Sequence, residues 1–396
     1  MRVGEQNSKN SALLTVKRPK VLIVTPSMSG GSWITLRDLI LYSINRFDYT
    51  LVGYNSIRST LHESVRCIVI PYIRYDKWGL LISSNTTLSL IFSIPLLITA
   101  LVITFIIKPA IIIGNGLISS VFLAFFSRRW GTKIVVSHHG WLEGYVSRLT
   151  LKVLSILSRT VDLVMVNSEG SFKDMCRVFP PDKIKIVPHW AHDIFFKPVN
   201  REKIRDSLGV SQKFVILFVG RVDREKHIDI LIQVSKILAK DDRGFFIIVG
   251  GGEWENKISS YTKVLPNLRY LGMINDRSQL RDLYIAADIV WSYADETYIA
   301  KPAVEALACG TPVLIPNIPA ILKKRHKRIS PKILPKDVGW IVETDAKKIA
   351  DLLFTLFNSN HIVKSMRNAC LEYARKYYSS SNLANAIVYI ESLLRQ

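Results

Sequence analysis

Four side chains in the second half of this 396-residue chain are of types and spacings that could do chemistry. A strand-like run, Ile289 to Trp291, leads into a polar loop that carries Glu296. An Ala/Leu-rich helix follows, with Glu305 near its start; Gly310 and Pro312 stop it, and Val313 to Ile315 begin the next strand. Ionised carboxylates accept hydrogen bonds and donate none, so two of them at the carboxyl edge of a parallel sheet suit the hydroxyls of a sugar or ribose. Upstream, Phe218-Val219-Gly220-Arg221-Val222-Asp223-Arg224-Glu225-Lys226-His227 lies between a strand and a helix. There Arg221 offers a planar fork to a pyrophosphate, Lys226 a point charge, and Gly220 room for close backbone approach. The plainer alternatives are a solvated charged turn for Arg221 and Lys226, and for Glu296 an acid favoured by a helix N-terminus.

The elements that must position these groups alternate cleanly. Strands are expected at Phe214–Val219, Phe245–Val249, Leu268–Leu271, Ile289–Trp291 and Val313–Ile315, with helices near Ile228–Ala239, Glu255–Val264, Leu280–Ala286 and Ala303–Cys309. Such alternation implies a parallel sheet with helices on both faces. The first half reads the same way, with strands at Lys20–Thr25, Leu51–Tyr54, Cys67–Pro71, Lys133–Ser137, Leu163–Asn167 and Lys183–Val187. Gly30-Gly31 reads as a turn after its first strand, ahead of a helix from Ile34 to Ile44. His139, with Gly140 after it, stands at the carboxyl end of another strand; His138 is the alternative, and His189 and His192 have no clear role. The chain turns polar at Lys197 to Arg201, the expected boundary. The organisation read is a loose basic arm over 1–19, a Rossmann-like domain over 20–198, a second over 199–375, and a terminal helix over 376–396 that packs back on the first.

The net charge of +21 implies an anionic partner. Its excess is spread over both halves, which disfavours nucleic acid, since that partner prefers a dense basic patch with a known motif. The stretch 88–107 is almost pure Leu, Ile, Val and Phe and matches the length of a membrane span, roughly 20 residues. Because Lys108 to Gly116 continues the same sheet, a core or membrane-dipping helix is read in preference to a span. The basic run Lys323-Lys324-Arg325-His326-Lys327-Arg328 suits anionic lipid. Cys67, Cys176, Cys309 and Cys370 lie far apart without metal spacing and read as buried thiols of a reducing compartment. The polar first twenty residues lack the apolar core of a signal peptide.

Gly220-Arg221 with Lys226, then Val249-Gly250-Gly251-Gly252-Glu253, Leu271-Gly272-Met273-Ile274 and Glu305 to Val313 follow one another at spacings that resemble the retaining glycosyltransferases of family GT4. The likeness covers most of 214–345. The first half resembles the family more loosely, through Gly30-Gly31, His139-Gly140 and Val187-Pro188 ahead of Asp193. The resemblance implies the GT-B fold, an α/β architecture of two Rossmann-like domains facing each other across a cleft. It implies that Arg221 and Lys226 hold the donor diphosphate, Glu305 the nucleotide ribose and Glu296 the donor sugar. His139 would contact that sugar and support catalysis, and Gly30, Gly31 and Gly220 would let backbone approach the phosphates. The pattern departs from the family in one place: eight residues separate Glu296 and Glu305 instead of seven, and Thr297 holds the family spacing.

The function expected is transfer of a sugar, with retention, from a nucleotide-diphosphate donor to a lipid-linked glycan or polysaccharide acceptor, on the cytosolic face of an anionic membrane. Two cations can neutralise the departing diphosphate, so no metal and no cofactor beyond the nucleotide sugar is expected. One rival is an NAD-dependent oxidoreductase; the first strand–turn lacks G-x-G-x-x-G, which argues against it. The other is a catalytically silent GT-B protein that binds membrane or nucleic acid.

Overall fold

The computed structural model describes residues 18–25, 30–54, 61–70, 86–115, 117–138, 154–156, 158–223, 226–292, 299–317 and 334–395, and the side chains of 30–32, 86–93, 118 and 119 are outside that description. The first lobe runs β1 (Lys20–Thr25), α1 (Gly30–Tyr42), β2 (Asp48–Tyr54), β3 (Arg66–Ile70), α2 (Thr86–Ile107), β4 (Ile111–Asn115), α3 (Leu117–Ser127), β5 (Lys133–His138), β6 (Leu163–Val166), α4 (Glu169–Met175) and β7 (Ile184–Ile186). The second runs α5 (Arg201–Ser207), β8 (Phe214–Val219), α6 (Ile228–Ile237), β9 (Gly244–Val249), α7 (Glu255–Thr262), β10 (Leu268–Tyr270), α8 (Arg277–Ala286), β11 (Ile289–Trp291), α9 (Lys301–Ala308), β12 (Val313–Asn317), β13 (Gly339–Glu343), α10 (Ala346–Asn358) and α11 (Asn360–Tyr377). The last helix is α12 (Ser381–Ser392).

Each lobe is built on one parallel sheet. The orders are β3-β2-β1-β4-β5-β6-β7 and β10-β9-β8-β11-β12-β13. Strands buried on both faces must be apolar almost throughout; β1 from Val21 to Thr25 and β8 from Phe214 to Phe218 are fully buried accordingly. In the first lobe α1 and α12 cover one face, with Trp33, Leu36 and Ile40 against Leu383, Ile387 and Ile390. On the other face Leu96 and Ala100 of α2 and Val121 and Ala124 of α3 meet Leu22, Ile112 and Val136. The terminal helix therefore packs on the first lobe. The chain crosses between lobes twice, and the crossings are joined: Ala191 N–H donates to the Tyr378 carbonyl (2.8 Å) and the Asn382 amide to the His189 carbonyl (3.1 Å).

The 88–107 segment is part of a 22-residue helix, α2, that lies along the first lobe against β1, β2 and α3. Among the described residues no helix is long and apolar enough to cross a membrane. The Gly30-Gly31 turn expected from the sequence is not a turn: both glycines open α1, four residues earlier than the helix read at Ile34. Strands β2 and β9 also begin earlier than read, and α3, α4, α5, α10 and β13 were not anticipated.

Candidate functional site

In an open parallel sheet, ligands bind outside the carboxyl ends of the strands where the strand order reverses. In the second lobe that point lies between β8 and β11, which pair directly (Trp291 beside Phe218). The Gly220-Arg221 turn leaves the carboxyl end of β8, and the chain from Ser292 toward α9 leaves the end of β11. The sheet thus brings the cation turn and the Glu305 helix to neighbouring strand ends, although 84 positions separate Arg221 from Glu305.

Asp223 sets the shape of the cation turn. It is buried, its carboxylate meets the Arg221 guanidinium at 3.1 Å, and it accepts the Lys226 backbone N–H at 3.0 Å. One carboxylate therefore fixes both the aim of Arg221 and the position at which the Lys226 side chain departs, while Arg221 itself stays exposed. Reading the sequence for cations passed over Asp223, though a buried acid between two basic residues of one turn was a usable signal.

The glycine motif Gly250-Gly251-Gly252 supports the same turn. Gly220 N–H donates to the Val249 carbonyl (3.0 Å) and Val222 N–H to the Gly251 carbonyl (3.1 Å). A Cβ on Gly250 would lie 1.7 Å from the Gly220 carbonyl oxygen, so only glycine admits this approach of two strand-end loops.

Glu305 sits one helical turn after Lys301 on α9 and is buried. Its Oε2 accepts the Tyr284 hydroxyl of α8 at 3.0 Å. Burial pushes the Glu305 carboxyl above the usual range, and Lys301 and the Tyr284 hydrogen bond offset that only in part. α9 begins with Pro302 in its first turn, where a missing N–H is harmless, and ends at Gly310 with φ +70°, a left-handed stop.

The lobes meet beside Glu305. Asp38 of α1 is buried and accepts Lys301 Nζ (3.0 Å) and the Arg277 guanidinium at the start of α8. Burial alone would raise the Asp38 carboxyl, but Lys301 and Arg277 outweigh it and hold it below the usual range. The Lys301 ammonium also stands 5.0 Å from the Trp190 ring centroid. His192 belongs to this cluster; burial, then the Arg277 charge, lower its pKa. His189 is buried near Asn167 (3.3 Å) and packs in the crossing between lobes. None of Asp38, Arg277, Lys301 or Tyr284 was singled out from the sequence.

Gly30 and Gly31 lie at the N-terminus of α1, just beyond the carboxyl end of β1. Their backbone N–H groups belong to a first helical turn, where such groups lack intrahelical partners. His138 ends β5. His139, Glu296 and the basic run 323–328 lie outside the described residues. Among the described residues no group of three or more His, Cys, Asp or Glu side chains converges as metal ligands. The four cysteines are free thiols, and burial pushes Cys370 up to about 12.

Comparison with known proteins bears on this geometry. Residues 200–377 match the family model described as Glycosyl transferases group 1. An uncharacterized glycosyltransferase of Methanocaldococcus jannaschii is 26% identical over 194 residues, 46% of this chain and 50% of that protein. A D-inositol 3-phosphate glycosyltransferase of Catenulispora acidiphila is 24% identical over 251 residues, 59% of this chain and 56% of that protein. The chain thus spans about half the length of these curated relatives. Among solved structures, Anabaena HepE in complex with UDP-glucose superposes with a TM-score of 0.71 at 19% identity, covering 95% of this chain and 100% of that one. Sucrose-phosphate synthase of Thermosynechococcus elongatus gives 0.71 at 18% identity, covering 96% and 99%. The fold is GT-B.

Proposed function

We propose, from the match of residues 200–377 to the family model described as Glycosyl transferases group 1, that this chain is a retaining glycosyltransferase with a nucleotide-diphosphate sugar as donor. The observation that carries the reading is the Asp223-braced turn at the end of β8, which holds Arg221 and Lys226 beside the strand that leads into the Glu305 helix. Breaking an anomeric C–O bond to a diphosphate builds negative charge on the leaving group and positive charge on the sugar. Arg221 and Lys226 stabilise the first as it develops, in a position set before the reaction. Glu305 accepts hydrogen bonds from the ribose hydroxyls, which donate well to a carboxylate. The N–H groups of Gly30 and Gly31 face the phosphates from the first lobe, Gly220 lets the β8 turn approach them, and Glu296 and His139 serve the donor sugar. The leaving phosphate takes the acceptor proton on the same face, which gives retention. The donor is the only small molecule required beside the acceptor, a lipid-linked glycan or polysaccharide intermediate presented at an anionic membrane surface on its cytosolic side.

A thermal-shift screen against UDP-, GDP- and ADP-sugars tests the donor, because a ligand of the folded state stabilises by mass action. One donor should raise the melting temperature, and Arg221→Ala and Lys226→Ala should each abolish that rise. Full shifts in both variants would mean the diphosphate binds elsewhere.

A further inference from the structure

The described part of α2 divides into two stripes. Leu96, Ala100 and Thr104 are buried against the sheet, while Ile94, Ile98, Val102, Phe105 and Ile106 face outward at one-turn spacing. Phe105 and Ile106 are 63% and 65% exposed. The neighbouring α3 continues this face with Phe122, Phe125 and Phe126, and Trp130 in the turn that follows closes it, its ring edge-to-face with Phe105 at 6.1 Å. Contiguous exposed apolar surface of this kind is uncommon on a free protein and marks a contact surface.

The charge around the face selects the occupant. Between residues 77 and 142 there are five Lys and Arg and no Asp or Glu. Three of those cations, Lys108, Arg128 and Arg129, are exposed at the C-terminal ends of α2 and α3, where the apolar side chains are largest. A second copy of the chain would bring two rims of Lys108, Arg128 and Arg129 together, like charge against like. An anionic lipid surface instead takes the apolar side chains below its headgroups and pairs with the cations at that level, where a tryptophan ring also sits well.

We propose that the outer face of α2, continued by α3 and Trp130, docks this protein on an anionic lipid bilayer with α2 lying flat in the interface. This deepens the proposed function by naming the face that meets the membrane, and rests on that reading only for the identity of the surface. The orientation has a consequence for the acceptor. α2 precedes β4 and follows β3, two parallel strands, so its Thr86 end lies at the carboxyl edge of the sheet, where the cleft opens, and its Ile107 end at the opposite edge. From Ile94 to Ile106 the stripe runs roughly 18 Å. A membrane along that stripe passes beside the cleft mouth, within reach of an acceptor whose lipid stays in the bilayer.

Flotation of the full-length protein with phosphatidylcholine vesicles, with and without phosphatidylglycerol, tests this. The wild type should float with the phosphatidylglycerol vesicles, less so at high salt. Phe105→Ser with Phe125→Ser should lower the partition coefficient about tenfold or more, the effect of withdrawing buried aromatic side chains, with an unchanged melting temperature because both positions are exposed. Arg128→Glu with Arg129→Glu should lower binding to phosphatidylglycerol vesicles and leave phosphatidylcholine unchanged. Wild-type protein that stays at the bottom of the gradient, or equal flotation of all three proteins, would overturn the proposal. So would a concentration-dependent dimer abolished by the phenylalanine substitutions, which would assign the face to a second copy. Flotation with no turnover of any nucleotide sugar would leave the docking face standing and sink the proposed function; turnover of a soluble acceptor without flotation would do the reverse.

Discussion

Replacing Asp38 tests whether the lobes are held together where the structure joins them. Its carboxylate is 2% exposed and takes two cations from the opposite lobe, Lys301 (5% exposed) at 3.0 Å and Arg277. Asp38→Ala leaves the buried Lys301 and the half-buried Arg277 facing each other, with Glu305 as the nearby carboxylate that still acts on both. Removing one partner of a buried pair typically costs about 3–5 kcal/mol. Because both partners lie across the lobe boundary, separation of the lobes relieves the penalty by hydrating the cations, so it should appear as opening of the cleft more than as unfolding of either lobe. A shift of that size is roughly two to three and a half decades in the equilibrium between closed and open forms. A donor that needs the closed form then binds more weakly by the fraction still closed. The measurements are donor affinity by calorimetry and hydrogen exchange in α1, α8 and α9. We expect at least a tenfold loss of affinity and faster exchange in the first turns of α8 and α9, with the centre of each sheet unchanged. Asp38→Asn keeps the shape and should show most of the same loss. Unaltered affinity and exchange in both variants would refute the reasoning. The contact should also weaken in acid: the folded pKa of Asp38 is depressed, so its contribution is fully present above the unfolded carboxyl value of about 3.9 and is lost as pH falls through the folded one.

Glu305 carries the opposite sign. Its folded pKa is raised, so its ionised form opposes folding above that pKa and the penalty vanishes as pH falls below the unfolded value of about 4.3. Glu305→Gln should therefore raise the melting temperature at neutral pH, with the gain shrinking toward pH 4, while donor affinity falls; calorimetry across pH checks both, and a melting temperature lowered at neutral pH would contradict it. Gly250→Ala places a methyl 1.7 Å from the Gly220 carbonyl oxygen and must push the two strand-end loops apart. A loss of about 1–3 kcal/mol in denaturant unfolding is expected, together with loss of the donor-induced thermal shift; a native thermal shift would mean that the Gly220-Arg221 turn does not depend on this contact.

How much was legible in advance follows from sequence separation. Gly220, Arg221, Asp223 and Lys226 lie within one turn, so their company is a local property of the chain. Strand β8 and helix α6 on either side announce where that turn must sit, because apolar runs and helical periodicity are local as well. Glu305 was legible for the same reason, through its helix and the Gly310 stop. Asp38 reaches Arg277 and Lys301 across 239 and 263 positions, and nothing near any of the three marks the others. Helix α2 shows a different limit. Its residues are apolar all round, so the sequence holds no polar stripe to tell the buried side from the exposed one, and only packing against β1, β2 and α3 separates Leu96 and Ala100 from Ile98 and Phe105.

The chain by itself determined two parallel α/β units, the cation turn at one strand end and an acid on the helix that follows the neighbouring strand, since each depends on contacts within a few residues. Tertiary structure alone decided that Glu305 is buried under Tyr284 beside an ion cluster spanning both lobes, and which face of α2 looks outward. Those are outcomes of long-range packing, in which the desolvation of a charge and the covering of an apolar stripe depend on segments tens to hundreds of positions away.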